Sequence, residues 1–229
     1  MDPRFRGDDV CSAYESVLRY ACTMAPNAQK IYLASKSPRR RELLRQIGVN
    51  FELLLLREKT PRGPDVTEAV LPGEAARDYV ARVTCEKAAC AARIMHERRL
   101  TAHPILTADT TVVVDGTILG KPADLLEASA MLHALSGRTH EVLTSIALSH
   151  RDELYQITQC SEVEFAQLSE AEIAAYCAGP EPYDKAGGYG IQGPAAAFIS
   201  RITGSYTGIM GLPLFETAQL LKRAGIKTL

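Results

Sequence analysis

Arg39, Arg40 and Arg41 follow Ser37-Pro38, a serine N-cap with proline at the first helical position, so all three fall in the first turn of a helix. The positive end of the helix dipole and its unpaired N–H groups disfavour cations there and favour anions. Three arginines in that place make chemical sense when an anion completes the site, and the guanidinium fork suits phosphate oxygens. Between Lys30 and Arg45 the chain carries six basic residues against one acidic residue. The plain alternative is a solvated basic face.

Asp109 is the second candidate, inside Leu106-Thr107-Ala108-Asp109-Thr110-Thr111-Val112-Val113. A carboxylate within an apolar strand pattern must be paired, protonated or bound to metal, because desolvating a bare charge is expensive. Asp109 is therefore a candidate metal ligand or general base; its ordinary alternative is a turn or cap aspartate at a break between two short strands. Beyond it, Gly120-Lys121-Pro122 projects a lysine from a stiff turn, towards a phosphate or towards solvent. Further on, Asp184-Lys185-Ala186-Gly187-Gly188-Tyr189-Gly190-Ile191-Gln192-Gly193 permits close backbone approach to a ligand, with Lys185 for charge and Gln192 for bidentate hydrogen bonding. By itself that stretch is also a plain flexible loop, and it lacks Walker or dinucleotide-binding spacing. Together these residues favour cleavage or transfer at a phosphorus centre with a divalent metal, where catalysis is mainly positioning and charge neutralisation. No Gly-x-Ser-x-Gly elbow occurs, and His96, His103, His133, His140 and His150 stand in no recognisable triad or metal spacing, so water is the expected attacker.

The elements that must position these residues alternate along the chain. Strands are expected at 31–34 and 51–56, with a helix between them that carries Leu43, Leu44 and Ile47 at helical spacing and ends at Gly48. A long Pro- and Gly-containing loop, 57–73, precedes a helix at 74–99. Two short strands, 105–106 and 111–114, bracket Asp109, and Asp115-Gly116 signals a hairpin into 117–119. Helices follow at 124–135 and at 169–178, the latter opening on Ser169 with Glu172 in capping-box spacing, and long paired strands at 139–149 and 154–167 lie between them. A strand near 197–202 and a helix at 213–224 close the chain, giving an α/β class.

Composition narrows the setting. The chain has 229 residues, enough for one core or for a core divided into two lobes around a cleft. Its 26 Lys+Arg against 27 Asp+Glu leave a net charge of −1, which argues against a protein that coats nucleic acid. No apolar run approaches the roughly 18 residues of a membrane span, so a soluble chain is expected. Six cysteines without a CxxC pair suit a reducing cytosol, and a cytoplasmic location is the expectation. Residues 1–29 read as a disordered or loosely packed extension without a signal-peptide core, with Met24 as an alternative start. They hold three basic and four acidic residues, so the remaining 200 balance at 23 and 23.

Several of these segments resemble one known family. Leu33-Ala34-Ser35-Lys36-Ser37-Pro38-Arg39-Arg40 with Glu42-Leu43-Leu44, then Glu86-Lys87-Ala88, Ala108-Asp109-Thr110, Gly120-Lys121-Pro122, Ser136-Gly137-Arg138-Thr139-His140, the 184–193 loop and Gly211-Leu212-Pro213 are similar to the Maf nucleotide pyrophosphatases, in family order from about residue 30 to 222. Tyr189-Gly190-Ile191-Gln192-Gly193 resembles the branch acting on dTTP and UTP, whereas the 7-methyl-GTP branch typically carries Glu at the place of Gln192. The resemblance implies an elongated mixed sheet with flanking helices and two lobes around a cleft, related in shape to inosine triphosphate pyrophosphatases, in a domain spanning 30–229. It implies hydrolysis of a nucleoside triphosphate to the monophosphate and pyrophosphate, with Mg, Mn or Co as divalent cation. Carried over by position, Asp109 is the proton acceptor, Arg39, Thr110 and Gln192 bear on substrate choice, and Ser37, Arg40, Lys87, Lys121 and Lys185 line the cleft. Glu68, with Asp109, matches a position that helps hold the metal; the loop before it is longer than is typical, and Glu58 and Asp65 are its alternates. The family commonly forms homodimers. Within the same resemblance, a 7-methyl-GTP-type enzyme and a nucleotide-binding regulator of septum formation are the competing readings.

Overall fold

The computed structural model describes residues 30–56, 65–151 and 153–228. The extension at 1–29 and Glu58 lie outside them. One seven-stranded mixed sheet organises the chain: β1 (Ile31–Leu33), β2 (Phe51–Leu53), β3 (Ile105–Val114), β4 (Thr117–Leu119), β5 (Thr139–His150), β6 (Glu153–Phe165) and β7 (Ile199–Thr203). The order is β2-β1-β3-β5-β6-β7, with β4 paired to β3 off that path. β1 runs parallel to β2 and β3; the remaining pairings are antiparallel.

Local chemistry sets the element ends. Ser37 caps α1 (Pro38–Gln46) by accepting from the Arg40 N–H, with Pro38 in the first turn and no acidic residue there. Asp115 and Gly116 both have positive φ, 50° and 74°, in the two-residue turn that pairs Val114 with Thr117. Ser169 and Glu172 form the full capping box of α4 (Glu170–Cys177). The long helix α2 spans Ala76–Glu97, α3 is Leu125–Leu135, and α6 is Leu214–Arg223. A one-turn helix, α5 (Tyr206–Ile209), was not expected from the sequence; Ser205 caps it through the Gly208 N–H.

The expected break at Asp109 does not exist. β3 is one ten-residue strand paired to β5 from Ile105↔Ser149 to Val113↔Glu141, and Asp109 and Thr110 are its two half-buried positions between buried ends. Strand alternation then sends these neighbours to opposite faces. On the α2 face, Ile105 packs with Tyr32, Leu54, Ala91 and Ile94, while Val113 and Leu143 pack with Tyr79, Val80 and Val83. Asp109 sits between these two small cores. On the other face Leu106, Ala108 and Val112 join the large core, built with Leu43 and Leu44 of α1, Leu132 of α3, Ile173 of α4 and Leu220 of α6. No helix of the described residues is long and apolar enough to cross a membrane.

Candidate active site

α2 buries Tyr79, Val80, Val83, Thr84, Ala88, Ala91 and Ile94 at helical spacing against the sheet. Lys87 interrupts that stripe and reaches Asp109: its Nζ lies 2.6 Å from Oδ1, both side chains being largely buried. The same ammonium lies 2.6 Å from Glu68 Oε1. One cation thus joins two carboxylates from a strand and a loop, which answers the desolvation of Asp109. Burial alone would raise the Glu68 carboxyl, but the Lys87 charge and hydrogen bond, with Lys121 and Arg40 behind them, hold it below the usual value.

Glu68 is held in place by α2, through residues the sequence reading did not single out. Tyr79 Oη donates to the Glu68 carbonyl at 3.0 Å, and Arg82 donates to the Ala69 carbonyl at 3.0 Å. Arg82 also grips Glu74 bidentately, Nε–Oε1 2.6 Å and Nη2–Oε2 2.8 Å, so the segment after residue 65 is tied to the first turns of the helix. Those bonds bring Glu74 down to about 2. Burial, then the charges of Asp109 and Glu68, push the Tyr79 hydroxyl up to about 12, which keeps it a donor. The signal for Lys87 lay in the helical stripe itself, where a lysine occupies an apolar position.

Across the sheet, Arg40 is a clamp. Its Nε donates to the Gly211 carbonyl at 2.7 Å, Nη1 to the Ala108 carbonyl at 2.8 Å and to Ser35 Oγ at 3.2 Å, and Nη2 to Thr110 Oγ1 at 3.2 Å. Four of its five N–H groups are therefore engaged within the protein. Burial lowers the Arg40 pKa, against the opposing charge of Asp109. Gly211, at φ 110°, holds a backbone conformation that side-chain-bearing residues rarely adopt, and that conformation presents its carbonyl to Arg40. Arg39 makes no hydrogen bond to a described residue; its charge acts on Arg40 and on Asp184. The arginine turn and the glycine-rich segment therefore share one rim.

That segment is ordered as short 3-10 turns docked on β3. Gly187, at φ 70°, has its N–H on the Gly120 carbonyl at 2.9 Å, and a Cβ there would lie 2.9 Å from the Val112 side chain. This contact joins the Lys121 turn to the Lys185 turn. Lys185 donates to the Glu181 carbonyl at 2.8 Å and pairs with Asp184. Gln192 stays exposed in the turn that follows, and Ser37 Oγ is occupied by its cap.

The arrangement resolves into an acidic pair on a buried lysine, a clamped arginine and a rim that carries Arg39, Lys121 and Lys185. The family model described as Maf-like protein matches residues 30–224. The chain belongs to the Maf family. Among the relatives of this Maf domain, a protein of Aromatoleum aromaticum named dTTP/UTP pyrophosphatase is 55% identical over 203 residues, covering 88% of this chain and 98% of that protein. Proteins of Bordetella avium and Nitrosomonas europaea with the same name are 54% and 50% identical, over 86% and 89% of this chain and 96% and 98% of their own lengths. Among solved structures, the Staphylococcus aureus Ham1 protein gives a loose likeness to this Maf chain, at 17% identity and a TM-score of 0.39 over 60% of this chain and 72% of that one.

Proposed function

We propose that the chain hydrolyses dTTP and UTP to the nucleoside monophosphate and pyrophosphate. The observation that carries the reading is the meeting of Asp109 and Glu68 on Lys87, beside a helix start that bears Arg39. Its substrate class is supported by the name shared by relatives that match nearly their whole length. Asp109 Oδ1 takes the Lys87 ammonium, which leaves Oδ2 as the oxygen to receive a proton from water. The water oxygen bonds to the α-phosphorus, the bond from that phosphorus to the bridging oxygen breaks, and pyrophosphate departs with the electron pair. Arg39, Lys121 and Lys185 offset the charge that gathers on the departing phosphates. Arg40 contributes its field while holding the floor of the site.

A divalent cation fits the donor set, because two hard carboxylate oxygens already converge on one positive centre. Asp109 and Glu68 would hold it. No group of three His, Cys, Asp or Glu lies together among the described residues, so these two carboxylates are the donors the chain would offer. When bound it would supply neutralisation of the triphosphate charge.

The test is pyrophosphate release from UTP, dTTP, CTP and 7-methyl-GTP with Mg²⁺, Mn²⁺ or Co²⁺. UTP and dTTP lead the ranking if the reading is right. In Gln192→Glu the amide N–H that can donate to a carbonyl of uracil or thymine is replaced by a carboxylate that only accepts, and kcat/KM for UTP relative to 7-methyl-GTP falls about tenfold. Preference for 7-methyl-GTP in the unaltered protein would overturn the assignment.

A further inference from the structure

Thr110 faces Thr144 directly across the β3–β5 ladder, and their hydroxyl oxygens lie 3.0 Å apart. Three contacts fix the protons of this pair. The Gly208 carbonyl can only accept, and Thr144 Oγ1 lies 2.8 Å from it, so the single Thr144 proton goes to Gly208. The Thr144 oxygen is then an acceptor towards Thr110, whose own proton must point at it. Arg40 has no acceptor, so its Nη2 donates to Thr110 Oγ1. The chain of bonds runs one way, from Arg40 through Thr110 and Thr144 to the backbone of α5. Thr144 is wholly buried, whereas Thr110 is half-buried.

We infer that Thr144 is a positioning residue that holds the Thr110 hydroxyl as a pure hydrogen-bond acceptor towards the substrate. The inference rests on the proposed pyrimidine triphosphatase reading and deepens it. A phosphate oxygen is itself an acceptor and gains nothing from such a lone pair, so the Thr110 oxygen is suited to a donor of the nucleoside, and the donor that differs between bases is the ring N3–H. In uracil and thymine the base has a single donor, the ring N3–H, whereas cytosine carries its donor on the exocyclic N4 amine and has an unprotonated N3. A Thr110 hydroxyl free to rotate would donate to that nitrogen and accept either base. With its proton fixed by Thr144, it can accept from a protonated N3 and has nothing to give to an unprotonated one, so it favours uracil and thymine at that ring position. Neither residue type nor strand pattern marks Thr144 for this task, because threonine is an ordinary strand former.

The experiment compares kcat/KM for UTP and CTP in the full chain and in three variants. Thr144→Val keeps the shape and removes both the acceptor for Thr110 and the donor to Gly208. Its UTP-to-CTP ratio is expected to fall about three- to tenfold, through KM rather than kcat, as the loss of one directed hydrogen bond implies. Thr144→Ser restores the hydroxyl and is expected to restore the ratio, which a packing defect would not do. Thr144→Cys keeps a weak donor for Gly208 but gives Thr110 a poor acceptor, so a smaller fall in the ratio is expected there, and it carries the test if the valine variant is unfolded. Folded valine or cysteine variants that keep the ratio of the unaltered protein overturn the role of Thr144 alone. An unaltered protein that releases no pyrophosphate from UTP or dTTP overturns the substrate reading and this inference with it.

Discussion

Asp109 and Lys87 show how one charge decides a neighbourhood. A carboxylate at the middle of a ten-residue strand would be costly if it stood alone, and the ammonium at 2.6 Å makes it tolerable. That pairing also distinguishes the two carboxylate oxygens, because Oδ1 is engaged by Lys87. Asp109→Asn keeps the shape and much of the hydrogen bonding but cannot take a proton. Its pyrophosphate release is expected to drop by about 10²- to 10⁴-fold, the range of a lost general base. Nucleotide affinity, read by calorimetric titration, is expected to stay within a few-fold of the original, because the cationic rim is untouched. Turnover near the original level in that variant would remove Asp109 from the chemistry. Arg40 carries a different lesson at the same scale. The sequence places it with Arg39 among phosphate binders, whereas four of its N–H groups serve Ser35, Ala108, Thr110 and Gly211, so its removal is expected to disturb the fold of the site as well as its charge.

At the scale of elements, what could be read from the sequence was what local hydrogen bonding determines. The Ser37 cap, the Asp115-Gly116 turn and the Ser169 capping box each depend on residues within four positions of one another, and all three stand as the sequence implied. Strand β3 was not legible as one piece, because the group that lets Asp109 lie within it comes from α2, 22 residues away. The same distance hid the support of Glu68. Tyr79 reads as an ordinary core residue of α2, yet its hydroxyl holds the Glu68 carbonyl at 3.0 Å. Tyr79→Phe removes that one bond and leaves the ring in its core, so the helix is expected to persist and the Glu68 segment to loosen. A single hydrogen bond of about 1 kcal/mol corresponds to roughly a fivefold change. The metal concentration for half-maximal turnover is therefore expected to rise by about that factor, with kcat at saturating metal little altered. An unchanged metal requirement would show that the Tyr79 bond does not serve the acidic pair.

For the molecule as a whole, the balance of stability against pH turns on a histidine far from the acidic pair. His140, 2% exposed, lies between Phe165 and Tyr189 with Nε2 at 2.7 Å from the Tyr189 hydroxyl, and it joins β5 to the glycine-rich segment. Burial lowers its pKa from 6.5 to about 4, only partly opposed by the nearby Arg138 backbone. Above pH 6.5 both the folded and the unfolded chain keep this ring neutral, and it exerts no pH effect. As pH falls from 6.5 towards 4 the unfolded chain takes up a proton that the folded chain refuses, so stability declines by about 1.4 kcal/mol per pH unit, to about 3 kcal/mol in all. His133 has the opposite sign. Its exposed ring is raised by the Ser129 carbonyl and Glu170, so any stability it gives is present at low pH and lost as pH rises. The carboxylates held low, Glu68 and Glu74 among them, lose their contribution only below about pH 4.5, which leaves the interval from 6.5 to 5 mainly to His140. Urea midpoints at pH 7, 6 and 5 are expected to fall steadily in the unaltered protein and to be nearly level in His140→Gln, which can still meet the Tyr189 hydroxyl but has no proton to gain. Parallel lines for the two proteins would mean that the acid sensitivity of this fold lies elsewhere.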